Sequence, residues 1–138
     1  MQRSSSSNKG FSLVELIIVI SIMAVLIGIL APQFISYIHK SKVASDWANL
    51  KAYYSEIETD YVDNNGTPNP DVPTVDHSPG SDDKYRRREI KFLDGRTVKL
   101  KAGFYAVTFE NGGYQISYYC DKYKSDWDKH KTCVLTLG

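Results

Sequence analysis

An α+β fold is expected for this 138-residue chain: a long N-terminal helix, half transmembrane and half amphipathic, packed on a C-terminal antiparallel β-sheet. The first observation behind this is the run from Phe11 to Ala31, in which only Ser12, Glu15 and Ser21 are polar. The second is the set of apolar residues that follows at helical spacing as far as Tyr61. The third is a series of short alternating segments, separated by Asp94-Gly95 and Asn111-Gly112-Gly113. Helical periodicity followed by alternation and tight turns is the pattern of a helix laid against a meander.

The apolar run comes first. Its 21 residues make about 30 Å of helix at ~1.5 Å each, the thickness of a bilayer's hydrocarbon core. Glu15 lies five residues in, where an ionised side chain costs on the order of 1–3 kcal/mol unless it is paired. Nothing else in the segment carries charge, so its expected partner lies on another molecule. Arg3 and Lys9 precede the run and would hold that flank in the cytoplasm. An ordinary secretory signal has a core of roughly 7–15 residues with its small-residue cleavage site behind. This core is longer, contains an acid, and has its small residue, Gly10, in front. A plain membrane anchor explains the hydrophobicity but not the carboxylate.

Further along, Pro32 has no amide hydrogen to offer the carbonyl of Gly28, so a kink or loosened turn is expected between Gly28 and Pro32. Phe34, Ile35, Tyr37 and Ile38 prolong the apolar surface to a basic cluster, His39, Lys40 and Lys42. From there the pattern becomes one-sided. Val43, Trp47, Leu50, Tyr54, Ile57 and Tyr61 form a stripe, with Ser45, Asn49, Lys51, Glu56 and Glu58 opposite it. This is read as an amphipathic helix over 39–61, continuous with the apolar one and packed on the chain's own strands.

Residues 62–83 are expected to be a loop, since Pro68, Pro70, Pro73 and Pro79 with Gly66 and Gly80 resist helix and sheet alike. Asn65-Gly66-Thr67 fits the glycosylation acceptor pattern, but a tripeptide is read here as chance. The sheet is expected over 86–138. Glu89–Leu93 places Ile90 and Phe92 on one side, and Asp94-Gly95 turns the chain. Thr97–Lys101 returns with Val98 and Leu100 inward. Phe104–Glu110, Tyr114–Cys120 and Thr132–Leu137 complete a meander. About a hundred residues beyond the apolar helix suffice for one domain.

The segment Gly10-Phe11-Ser12-Leu13-Val14-Glu15-Leu16 resembles, without a gap, the N-terminal signature of type IV pilins and the related pseudopilins. The resemblance covers about the first thirty residues. It implies a leader, 1–10, removed between Gly10 and Phe11 by a prepilin peptidase that also methylates the new Phe11 amine. It implies a filament-core helix over 11–38 and a globular head over 39–138. It further implies that Glu15 of an incoming subunit pairs with the Phe11 amine of a neighbour. Burying those ions together offsets much of what burying each alone would cost. The competing role for Glu15 is to favour the positive end of its own helix. A turn at Gly28–Pro32 that melts on assembly is likewise a family expectation.

Cys120 and Cys133 are the only cysteines. A domain exported beyond the membrane meets oxidising conditions, which favour a disulfide. Closing the twelve residues between them would stabilise the fold by roughly 3 kcal/mol. The bond would resemble the disulfide-bounded C-terminal loop of many pilins. Two cysteines cannot complete a zinc site. The intervening loop carries Lys122, Lys124, Asp126, Asp128, Lys129 and Lys131, read as a solvated face. Asp121, Asp126 and Asp128 lack a recognised calcium spacing.

No nucleophile motif accompanies His39, His77 or His130, so neither an enzyme nor a cofactor is expected. Lys84-Tyr85-Arg86-Arg87-Arg88 pairs a basic run with an aromatic, a combination that can hold nucleic acid. However, the 17 basic residues less Arg3 and Lys9 leave 15 against 16 acidic ones, and phosphate-driven binding calls for more positive charge. A guarded strand edge is the preferred reading. The implied partners are copies of the chain itself, a prepilin peptidase, a membrane platform protein and an assembly ATPase. The expected location is a single-pass membrane precursor, then an extracellular pilus fibre. The alternatives are a pseudopilin or minor pilin of a secretion or competence filament, and a membrane-anchored binding domain that never polymerises.

Overall fold

Ser12 starts the helix. Its Oγ accepts the Glu15 amide at 3.2 Å and its carbonyl accepts the Leu16 amide at 3.1 Å, which are the contacts of an N-cap. In the computed structural model, which describes residues 10–76, 86–120 and 133–138, the helix α1 then runs over Leu13–Asp63. It stays helical through Gly28 and Pro32, although Pro32 donates no backbone hydrogen bond. The helix ends in a Schellman motif: Gly66 donates to the Tyr61 carbonyl at 2.9 Å and Asn65 to that of Val62 at 3.2 Å. Asn65 holds the left-handed conformation this ending requires, at φ 55°, and asparagine is among the few non-glycine residues that tolerate it.

The chain divides into two compact units, Met1–Ile38 and His39–Gly138. In the first, the described large apolar side chains are exposed all round, from 83% at Phe11 to 41% at Ile38. Ser21 hides its hydroxyl by donating to the Ile17 carbonyl at 2.7 Å, so its own O–H is not left unpaired.

The second unit has a core. Leu50, Tyr53 and Ile57 of α1 are buried against Ile90, Phe92, Tyr105, Val107, Ile116 and Tyr118. The apolar stripe is therefore rotated slightly from the sequence reading. Asp46, Leu50, Tyr53 and Ile57 lie at its centre, while Val43, Trp47, Tyr54 and Tyr61 are half-buried flanks. Tyr53 fixes this setting, with its ring edge-on to Phe92 at 5.7 Å and to Tyr105 at 6.2 Å. Glu56 and Glu58 do not stand on a solvated face opposite the stripe. Each is half-buried and accepts a backbone amide from the strand side.

Among the described residues five strands follow, all paired antiparallel. β1 (Glu89–Lys91) and β2 (Thr97–Lys99) form one two-stranded sheet, and β3 (Phe104–Glu110), β4 (Gly113–Tyr119) and β5 (Val134–Leu137) form a second, in the order β3-β4-β5. The expected single meander is thus two sheets, because the amides of Lys101 and Ala102 turn aside to the Asp46 carboxylate. That diversion ends β2 before it can feed directly into β3. Gly103 then passes so close to the chain that a Cβ there would fall on the carbonyl oxygen of Tyr119. A short bridge, Arg87 with Tyr105, links the segment before β1 to β3.

The two hairpins differ. Asn111 and Gly112 both have positive φ, 53° and 80°, and form the two-residue turn whose twist suits β3 and β4. The β1–β2 connection has five residues, Phe92-Leu93-Asp94-Gly95-Arg96, and the Phe92 amide donates to the Arg96 carbonyl at 2.9 Å across it. Gly95 takes its left-handed position at φ 92°. Between α1 and β1, residues 64–76 contain turns and one bridge, Val75 with Thr108. The rest of the expected loop, including His77, Pro79 and Gly80, lies outside the described residues.

Candidate functional site

The N-terminal site is built from the start of α1. Phe11 is 83% exposed, and Glu15 follows it four positions later, exposed, at the third residue of the helix. Ser12-Leu13-Val14-Glu15 has the spacing of a capping box, in which serine and glutamate can each satisfy a free amide at the helix start. The serine arm is formed. A Cβ on Gly10 would meet nothing within 4 Å. Among the described residues, nothing around that position requires a glycine. The same holds for Gly28, where a Cβ also meets nothing within 4 Å.

Among the described residues, nothing covers the apolar surface of α1 between Leu13 and Ile38. An uninterrupted exposed apolar helix of this length must be covered by lipid or by other protein. The helix is long and apolar enough to cross a membrane.

The head is fastened to α1 by carboxylates that the sequence reading did not single out. Asp46 is fully buried. Its Oδ1 accepts the Lys101 amide at 2.7 Å, and its Oδ2 accepts the Ala102 amide at 2.8 Å and the Tyr118 hydroxyl at 2.7 Å. Three donors on one carboxylate compensate for much of its lost hydration. Glu56 Oε2 accepts the Leu93 amide at 3.1 Å and Glu58 Oε1 the Tyr114 amide at 2.9 Å. Asp60 Oδ2 is held by the side-chain amides of Asn64 and Asn69. A signal was present for Asp46: it stands one turn before Leu50, on the apolar stripe itself, where a lone acid needs a purpose.

Cys120 and Cys133 are joined by a disulfide, with their Cα atoms 5.2 Å apart, and the Cys120 amide donates to the Cys133 carbonyl at 2.9 Å. The loop that the bond closes, 121–132, with Asp121, Asp126, Asp128 and its lysines, lies outside the described residues, as do Lys84, Tyr85 and His130. Of the basic run, Arg86 rests over the Phe104 ring at 5.0 Å, while Arg87 and Arg88 are exposed.

Burial raises three phenols in the core. Tyr53 is pushed up to about 12 from 10.0, by desolvation first and then by the Glu56 charge. Tyr105 and Tyr114 move the same way, also chiefly through desolvation. On the surface, the Arg96 amide and guanidinium hold the Asp94 carboxyl below its usual range.

Residues 5–31 match the family model described as the prokaryotic N-terminal methylation motif. The chain is 40% identical over 55 residues to the type IV major pilin protein PilA of Myxococcus xanthus (strain DK1622). That stretch covers 40% of this chain and 25% of the relative, so it spans a quarter of the curated relative's length. No solved structure matches the chain. The matched motif opens the exposed apolar helix, which runs on into the antiparallel α+β head. The N-terminal segment is therefore similar to that of type IV pilins and prepilins.

Proposed function

We propose that this chain is a structural subunit of a type IV pilus. The leader, 1–10, is removed after Gly10 and the Phe11 amine is methylated. The helix over 11–38 enters the fibre core, and the head over 39–138 coats the outside. One observation carries the reading: an apolar helix exposed on every side whose lone carboxylate, Glu15, sits one turn from the residue that cleavage would make the new terminus. In a bilayer that acid is unpaired; in a filament the Phe11 amine of an adjoining copy neutralises it, and two buried opposite charges cost far less than two separate ones. The apolar surface moves from lipid to protein, so van der Waals packing and the ion pair set the register.

The partners on this reading are further copies of the chain, a prepilin peptidase, a platform protein and an assembly ATPase. The precursor spans the membrane once, and the product is a surface fibre used for adhesion, twitching motility or DNA uptake. The test is Glu15→Ala in the native cell. Mass spectrometry is expected to find the chain starting at methylated Phe11, as in the wild type, while electron microscopy of sheared surface material finds no fibres. Normal fibres from this variant overturn the proposal, as does a wild-type chain that retains its first ten residues.

A further inference from the structure

The head carries two surfaces of opposite charge and similar length that its own packing leaves open. The first is on α1. Tyr54, Glu58 and Val62 form one row at four-residue spacing, and Ser55, Thr59 and Asp63 form the next. Together they line a shallow groove of about 400 Å³. Val62 is 69% exposed, the more exposed of two large apolar side chains, with Val134, on the surface of the head's described residues. Glu58 and Asp63 rim the groove, and Glu110 is exposed at the nearby β3–β4 turn, whose Gly113 approaches the Glu58 carboxylate. The second surface is the outer face of the β1–β2 hairpin. Arg87, Lys91, Lys99 and Lys101 are exposed there, with Glu89 as the acid among them. Glu89 stands directly across the ladder from Lys99, which offsets one charge and leaves the face strongly positive. Arg96 is already engaged by Asp94 at 2.6 Å.

We propose that these two faces meet between copies of this chain, the β1–β2 face of one head lying along the Tyr54–Asp63 face of the next. The inference rests on the polymerisation proposed above. The lengths agree: Arg87 to Lys91 spans about 13 Å of strand, and Tyr54 to Val62 spans about 12 Å of helix. The aliphatic stems of Lys91 and Arg87 cover Val62 while their cationic heads reach the acidic rim. The two faces are different patches of one subunit, so the contact is heterologous and propagates instead of closing into a dimer. Charge of this kind contributes mainly to register and partner choice, because like charges brought together are strongly disfavoured.

A charge-exchange experiment in the native cell tests this. Val62→Lys with Asp63→Lys makes the helix face basic, and Lys91→Glu with Lys99→Glu makes the hairpin acidic. None of the four side chains serves the head's core. Each pair alone is expected to lower the yield of sheared fibres at least tenfold, and all four together in one chain to restore most of it. Wild-type yield from both pairs overturns the proposal and leaves the hairpin as a guarded edge. Loss without recovery in the combined chain overturns it too. Glu15→Ala runs alongside: if that variant makes normal fibres, the polymerisation reading fails first. If it makes none while the exchanged chains behave as wild type, only this contact is wrong.

Discussion

Asp46 shows how much one side chain decides in this head. Its carboxylate gathers two backbone amides and a phenol from segments 55 to 72 positions away, so it closes the core and ends β2 at once. Asp46→Asn keeps the shape but turns one acceptor into a donor facing an amide or the Tyr118 hydroxyl. The expected loss is about 2 kcal/mol, and about 3–5 kcal/mol for Asp46→Ala, which strands all three donors. Urea unfolding of the full chain in detergent, followed by near-ultraviolet circular dichroism, measures both. A loss under about 0.5 kcal/mol in each would mean that water replaces the carboxylate. The buried tyrosines give a separate expectation in alkali. Tyr53 keeps its proton to about pH 12 in the fold but ionises near 10.0 once unfolded, and Tyr105 is raised likewise. Between those values the unfolded chain has released protons that the folded one retains, so stability falls as pH rises. The head is expected to hold its stability up to about pH 10 and to lose it steadily toward 12, with phenolate absorbance appearing together with unfolding. Phenolate absorbance at pH 10–11 accounting for every tyrosine in a still-folded head would contradict this.

At the scale of elements, β5 is the strand whose hold on its sheet the disulfide can test. It is four residues long, lies at the edge of its sheet and pairs only with β4, from Tyr119–Val134 to Ile116–Leu137. The disulfide stands just before the first of those pairs. Replacing Cys120 and Cys133 together by serine is expected to cost about 2–4 kcal/mol. Hydrogen exchange should then show β5 amides opening well before those of β3 and β4; uniform protection across the sheet would mean that the ladder alone holds the strand. The strands themselves were readable because alternation and turn residues agree: Ile90 and Phe92 are buried between exposed Glu89 and Lys91, and Asn111-Gly112 forms the turn its composition demands. The helix stripe was readable to within one residue step. The break between the two sheets was not, because it depends on a carboxylate on α1 capturing amides more than fifty positions away. Periodicity reports which face is apolar, and says nothing of where a buried acid finds its donors. The N-terminal expectation is of another kind: its residues are contiguous, so no folding is needed to bring them together, and it rests on the motif and on the lone charge of Glu15.

At the scale of the whole molecule, the same residue, Glu15, has two physical roles that one substitution can separate. In the single chain it stands at the third position of α1, three after Ser12, where a glutamate or a glutamine completes a capping box equally well. In a filament its charge would answer the Phe11 amine. Glu15→Ala removes both roles, whereas Glu15→Gln keeps the hydrogen-bonding side chain at the helix start and removes only the charge. If capping is what matters, Glu15→Gln should make fibres in normal amount while Glu15→Ala does not. If pairing of opposite ions matters, the uncharged amide leaves the incoming amine buried without a counter-ion, a cost of several kcal/mol. Glu15→Gln should then fail as completely as Glu15→Ala, with cleavage and methylation of Phe11 unaffected in both. The ion-pair account predicts the second outcome. Fibre yield by electron microscopy, read beside the mass of the processed chain, decides between them, because an unprocessed precursor would separate a peptidase defect from an assembly defect.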